Sequence, residues 1–241
     1  TVLHKLITFF LLPIYTKYID KADLGTYDLA TAYINFLCSI LFLDIWSGIM
    51  RFAFEYEGEE RKKPITSGIA IFTGSTVLYT IVLFGAGCIF DIKYLPLIYL
   101  YGIMMNIQTL VGYLARTYGK NALYTTSGLV SSFVTVACNI LFIVYFRMDY
   151  SALFISACIG YLVNIVVLGW GIKLPKLISV SAFDKDLYKR MLISTICKVL
   201  RQHTCTKQPL IYTPLIFKKC FVTQNVEEQI FFVYYVVYDL L

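Results

Sequence analysis

The chain has 241 residues, of which 59% are hydrophobic and 15% charged. A water-soluble domain carries about 25% charged residues, so that class is excluded. The net charge of +6 does not signal a nucleic-acid ligand, because the basic residues gather in the short connections between long apolar runs.

Leu6–Tyr18 is apolar but short, and it begins almost at the first residue of a chain that has no starting Met. It reads as a membrane helix truncated at its N-terminus. A cleaved signal peptide does not fit, because no small-residue cleavage site follows and Tyr15, Lys17 and Asp20 come instead. Ile19–Thr26 is a polar turn containing Gly25. Leu29–Met50 is the second span and holds one acid, Asp44. Glu55–Lys63 is a charged loop, and Pro64 suits the first turn of the helix after it. Ile65–Phe90, Leu95–Ala115, Ala122–Phe146 and Tyr150–Ile172 contain no Asp, Glu, Lys or Arg. Each matches the roughly 20 residues needed to cross a hydrocarbon core about 30 Å thick.

Lys173–Arg190 is polar, and Phe183–Leu192 within it has the pattern of an amphipathic helix lying on the membrane surface. Ile193–Leu241 has no apolar run of spanning length. It reads either as a soluble tail or, the preferred account, as residues beyond an interrupted reading frame. The expected fold is an all-α, polytopic membrane helix bundle. Residues 1–192 form one six-helix lobe with its connector, and 193–241 a poorly ordered tail.

Basic residues alternate between loops. Arg51, Arg61, Lys62 and Lys63, then Arg116 and Lys120, then Lys173, Lys176, Lys185, Lys189 and Arg190 follow the second, fourth and sixth spans. Lys17 and Lys21, then Lys93, then Arg147 follow the others. The positive-inside bias makes the heavy loops and the N-terminus cytoplasmic. These loops also meet the anionic heads of membrane lipids.

The seven cysteines form no disulfide framework. Cys38, Cys88, Cys138 and Cys158 lie in or at the end of spans, where Cys acts as a small hydrophobe. Cys197, His203, Cys205 and Cys220 lack the spacing of a zinc site, so no metal and no cofactor is expected. There is no G-x-x-x-x-G-K-[ST] and no H-E-x-x-H, and His4 and His203 are the only histidines. The chain does not read as an enzyme.

A charge at the bilayer centre costs about 3 kcal/mol on insertion scales and therefore has a reason. Asp44 and Arg51, two turns apart, read either as an interfacial ion pair or as a pair lining a water-filled cavity. Ser132, Thr135 and Asn139 with Gly128 form one arc of the fifth helix, and Thr73, Thr76, Thr80 and Gly87 one arc of the third. Asn106 and Gln108 interrupt the fourth helix, and Asn164 the sixth. Such stripes usually mean close helix packing; the alternative is a polar central cavity.

Three stretches in order carry a resemblance: LITFFLLPIYTKYIDKADLGTYDLATAY (Leu6–Tyr33), SGIMRFAFEYEGEERKK (Ser47–Lys63) and LARTYGKNALYTTSGLVSSFVTVACNILFIVYF (Leu114–Phe146). They hold, in turn, a Leu-Pro helix end with an acidic turn, an Arg-Phe and aromatic-Glu pattern, and an Arg, Gly, basic, Tyr connection leading to a late Asn. Together they resemble the Wzx-type polysaccharide flippases of O-antigen, capsule and teichoic-acid assembly. These belong to the superfamily that also holds multidrug extruders. The resemblance spans Leu6–Leu192, one lobe, and implies alternating access between two such lobes. It implies an undecaprenyl-diphosphate-linked oligosaccharide as cargo, the bacterial cytoplasmic membrane as location, and polysaccharide polymerase and glycosyltransferases as partners. Arg51 and Arg116 would then contact the diphosphate, and Asn106, Gln108, Asn139 and Asn164 the sugar. A cation-coupled drug or metabolite extruder is the runner-up, with Asp44 as the only acid inside a span. A non-transporting membrane scaffold is the third reading.

Overall fold

The computed structural model describes residues 15–90, 92–174 and 183–205, with side chains through residue 196. Every regular element among them is helical. Residues 15–18 are helical, so most of the expected Leu6–Tyr18 helix lies outside the described residues. Then come α1 (Lys21–Leu41), α2 (Ile45–Ala53), a single 3-10 turn (Gly58–Arg61), α3 (Lys62–Ile89), α4 (Leu95–Thr117), α5 (Asn121–Ile140), α6 (Ser151–Gly171) and α7 (Lys185–Cys205). A wide π turn, Leu141–Tyr145, continues α5. Among the described residues four helices are long and apolar enough to cross a membrane, or five when α1 and α2 count as one bent span. The chain divides into two units, Thr1–Val199 and Leu200–Leu241; within the second, the described residues are the helical backbone of 200–205.

The second span departs from expectation. It begins at Lys21, and it breaks at Leu43–Asp44, where the axis turns by 44°. Neither Gly nor Pro stands there. Both Leu43 and Asp44 take left-handed backbone at φ 52°. Aspartate tolerates that region and leucine does not. The conformation is held from both sides, because Phe42 and Ile45 are fully buried.

α4 packs against α1, α2, α3, α5 and α6 and so forms the centre of the first unit. Glycines set how closely its neighbours approach. At Gly102, a Cβ would collide with the Tyr79 hydroxyl of α3 and meet Ile34 of α1. Asn106, one turn on, donates to Cys38 Sγ of α1 at 3.0 Å and to the Gly102 carbonyl at 2.7 Å. Phe42 lies on the Phe72 ring at 5.0 Å and near Tyr79 at 6.1 Å, which ties the break to α3.

α7 packs its apolar ridge against α2 and α3. Leu187, Met191 and Thr195, at successive four-residue steps, are buried. Added Cβ atoms at Gly48 of α2 and Gly68 of α3 would meet Thr195 and Met191. Small residues on α2 and α3 make the trough that this ridge fills. The helix runs without interruption past Leu192. Asp184 caps its start, its Oδ1 accepting from the Asp186 and Leu187 amides at 2.9 and 3.1 Å. Those bonds, the Leu187 amide first, hold the Asp184 carboxyl below its usual pKa.

The two ends of the bundle sort as the basic-residue pattern requires. Lys93 and Asp149 form an ion pair at 3.8 Å at one end, and Tyr94, ahead of Asp149, raises the Lys93 pKa. At the other end Arg61 lies over the Tyr118 ring at 6.0 Å, and the Lys120 ammonium donates to the Gly171 carbonyl.

Candidate functional site

The residues singled out in the sequence do not converge on one cavity. Asn106 is sealed between α4 and α1, as above. Asn139 is buried on α5, and its amide donates to the Tyr15 hydroxyl at 2.9 Å. Asn164 is buried on α6. Gln108 is half-buried. Two residues along α4, it sits about 200° around the helix from Asn106. Three of the four amides are therefore buried, and Asn106 and Asn139 are bonded to side chains of other helices.

The hydroxyl arcs behave the same way. On α5 the Thr135 side chain fills the space of the missing Cβ of Gly160 in α6. Ser131, one position from the Ser132 expected in the arc, donates to the Gly160 carbonyl at 2.7 Å. On α3 the Thr73, Thr76 and Thr80 hydroxyls bond back to carbonyls four residues earlier. Thr80 also meets the Tyr99 hydroxyl of α4 at 3.0 Å. At Thr135 and Thr80 these stripes pack against a neighbouring helix, whereas Thr73 is exposed and Gly128 faces open space.

Asp44 and Arg51 do not form the expected pair. That reading placed both on one continuous helix, and the break removes Asp44 from the helix that carries Arg51. The described ion pairs join Lys62 to Glu59, Lys63 to Glu60 and Lys93 to Asp149. Arg51 is exposed on α2, its guanidinium 5.7 Å from the Phe52 ring. Asp44 is half-buried at the break.

An outward polar line appears where it was not sought. α1 buries only Ile34 and Cys38. Asp28, Asn35 and Ser39 are exposed, and at 100° per residue they fall within one narrow arc. Leu29, Tyr33, Phe36 and Ile40 form an exposed apolar row beside it. The polar line runs about 16 Å along the axis. The recoverable signal was the spacing of Asp28, Asn35 and Ser39, seven and four residues apart. It was missed because Asn35 stands in a run that reads as apolar. Because α1 reaches back to Lys21, Asp44 is not the only acid in this span, and Asp23 and Asp28 join it.

At the basic end, Arg116 occupies the last turn of α4. Its guanidinium carbon lies 4.3 Å from the Tyr113 ring centre and 4.5 Å from that of Tyr124 on α5. The turn between the helices brings Tyr124 into place. The Gly119 amide bonds the Arg116 carbonyl at 2.9 Å and the Lys120 amide the Ala115 carbonyl at 3.0 Å. Gly119 supplies the left-handed residue, φ 71°, that this helix end requires.

Among the described residues no cluster of His, Cys, Asp and Glu is arranged to hold a metal. No protein-family model, curated protein or solved structure matches the chain.

Proposed function

We propose that this chain is a transporter lobe that lines the path of an undecaprenyl-diphosphate-linked oligosaccharide across the bacterial cytoplasmic membrane, with its N-terminus on the cytoplasmic side. The described residues supply five spans when α1 and α2 count as one, and the helix expected from the sequence at Leu6–Tyr18 would be the sixth. The observation that carries the reading is the exposed line Asp28, Asn35, Ser39. An Asp and an Asn turned toward hydrocarbon are costly, so such a face borders water or protein. A sugar passing along it meets amide, hydroxyl and carboxylate groups. Arg51, exposed, and Arg116 stand at the basic end to take the diphosphate. Asn106 supports this path as a packing group, and the buried Asn139 and Asn164 carbonyl oxygens, without a partner among the described residues, keep their place as candidate sugar contacts. The resemblance of Leu6–Leu192 to polysaccharide flippases supports the same cargo.

A cation-coupled extruder is the second reading, favoured by the three acids Asp23, Asp28 and Asp44 on one broken span. Water access and cargo protection separate the two. In a cysteine-free background in native membranes, Asn35→Cys and Ser39→Cys are expected to react with a hydrophilic thiol reagent, and Phe36→Cys to resist. Lipid-linked oligosaccharide diphosphate should slow the reaction at both sites. Protection by a lipophilic drug cation instead would select the extruder. Failure of residues 35 and 39 to react would remove the path.

A further inference from the structure

Arg116 is held in an unusual way for a cation near a membrane surface. Its Nε is buried and has no hydrogen-bond partner among the described residues. None of the described carboxylates pairs with it. Two tyrosine rings flank it instead. Ring faces attract the charge by their quadrupole, and the Tyr113 hydroxyl accepts a hydrogen bond from the guanidinium as well. The side chain is thus held in a fixed plane between two rings, with no carboxylate ion-paired to it among the described residues.

Local sequence builds this arrangement. Gly112 lies one turn before Arg116 on the same face of α4. A Cβ at Gly112 would stand 2.9 Å from Cε2 and 3.4 Å from Cδ2 of Tyr124. The Tyr124 ring therefore lies across the bare backbone of Gly112 and reaches the guanidinium from there. Tyr113 closes from its own helix and carries the Trp46 ring of α2 at 6.4 Å. Any side chain at position 112 displaces one wall of the clamp.

We infer that Tyr113 and Tyr124, admitted by Gly112, are positioning residues that make Arg116 an in-plane receptor for a phosphate-type oxoanion. This rests on the reading of Arg116 as an anion contact. A guanidinium end offers two parallel N–H bonds and matches two oxygens of one phosphorus. An ammonium does not reproduce that geometry. Stacking between rings removes the rotamer freedom that binding would otherwise have to freeze. The oxoanion chemistry is common to a lipid-linked diphosphate, a free diphosphate and a phospholipid head.

Trp46 supplies the reporter, because the chain has only two tryptophans and the other, Trp170, is exposed. In a Trp170→Phe background, the full chain is placed in phosphatidylcholine nanodiscs and Trp46 emission is titrated. The probes are farnesyl diphosphate, inorganic diphosphate and farnesol, with phosphatidylglycerol nanodiscs as a separate arm. Both diphosphates should give a saturable change and farnesol none. A response to farnesyl diphosphate that phosphatidylglycerol leaves intact assigns the site to diphosphate, and suppression by phosphatidylglycerol assigns it to membrane phospholipid. Tyr113→Phe and Tyr124→Phe should bind within about threefold of the parent, whereas Gly112→Ala and Tyr124→Leu should weaken binding about tenfold. Arg116→Gln should abolish it.

If Arg116→Gln binds like the parent, the anion reading of Arg116 fails. If Arg116→Gln loses binding but Gly112→Ala and Tyr124→Leu do not, that reading stands and the clamp falls. Should Tyr124→Leu fail to fold, phenylalanines of increasing fluorination at position 124 keep the ring and weaken its negative face. Affinity must then fall stepwise, and a flat series overturns the proposal.

Discussion

Midway along α5 and α6 the hydroxyls of Ser131 and Thr135 turn toward the neighbouring helix, whereas along α1 Asp28, Asn35 and Ser39 are exposed. Ser131, Thr135 and Gly160 interlock two continuous helices. Asp28, Asn35 and Ser39 stand exposed on a span that breaks at Leu43–Asp44. The residue types are similar and their energetic roles are not. In the first region a polar group replaces bulk and lets backbones approach. In the second it does nothing for the packing and makes a lipid-facing surface more costly. Groups retained in that second setting are the ones a passing ligand can use.

The largest effect should come from filling the seam. Gly160→Val places methyl groups where Thr135 already sits and pushes on the Ser131 bond. Overpacking of this kind costs about 3 kcal/mol. The folded fraction after detergent extraction, read by size exclusion, should drop sharply. Ala32→Val, on the exposed arc of α1, should leave it unchanged. Equal tolerance at both sites would mean that α5 and α6 are not interlocked.

A second pair of substitutions should split stability from transport. Asn106→Ala removes a buried amide from Cys38 and Gly102. It should lower stability by about 1–2 kcal/mol while export per folded molecule stays at the parental level. Arg51→Ala, at an exposed position, should do the reverse in a complementation strain. Abundance should hold and export per folded molecule should fall tenfold or more, with Arg51→Lys keeping part of it. If export loss in Arg51→Ala merely tracks abundance, that arginine anchors the helix in the lipid interface instead.

The spans were legible because membrane crossing demands length and apolar composition, and both are written residue by residue. The four long helices α3 to α6 therefore lie within a few residues of expectation. The direction a polar residue faces is a finer matter. One position shifts a side chain by 100°, which separates Ser131 in the seam from Ser132 in the expected arc. The amides Asn106, Asn139 and Asn164 were visible as polar interruptions, but burial depends on which helix lies beside them. The break at Leu43–Asp44 had no Gly or Pro to announce it, and the packing of Phe42 and Ile45 imposes it. α7 announced its amphipathic face in Phe183–Leu192. Its partner, the trough at Gly48, Ser67 and Gly68, becomes visible only once α2 and α3 are side by side.

The break itself can be tested by a change of sign. In a regular helix Ala is about 1 kcal/mol more favourable than Gly, and Leu29 on α1 should follow that order. At Leu43 both substitutions lose the same side chain, but only Gly is free of the left-handed penalty of about 1 kcal/mol. Leu43→Gly should therefore be more stable than Leu43→Ala, with Leu29→Gly and Leu29→Ala in the opposite order. Thermal melting of the four variants measures both differences. If Ala wins at both positions, α1 and α2 are one helix, and the contrast with α5 and α6 loses its backbone half.

The smallest effect concerns the latch that holds α7 against the α2 side. Asp184 accepts two amide bonds at the helix start, and they favour its charged form. Its folded pKa thus lies below the unfolded value of about 4. The contribution is complete above that value and is lost as pH falls through the lower, folded one. Amide exchange in the first turn of α7 should therefore gain protection up to about pH 4 and stay level above it, once intrinsic rates are removed. Asp184→Asn keeps an acceptor at the cap and removes the charge, so its protection should be flat across that range. The seam of α5 and α6, which has no described ionisable partner in its Ser131–Gly160 bond, should show no step in either protein. A step of equal size there would mean that acid loosens the whole unit rather than the α7 latch.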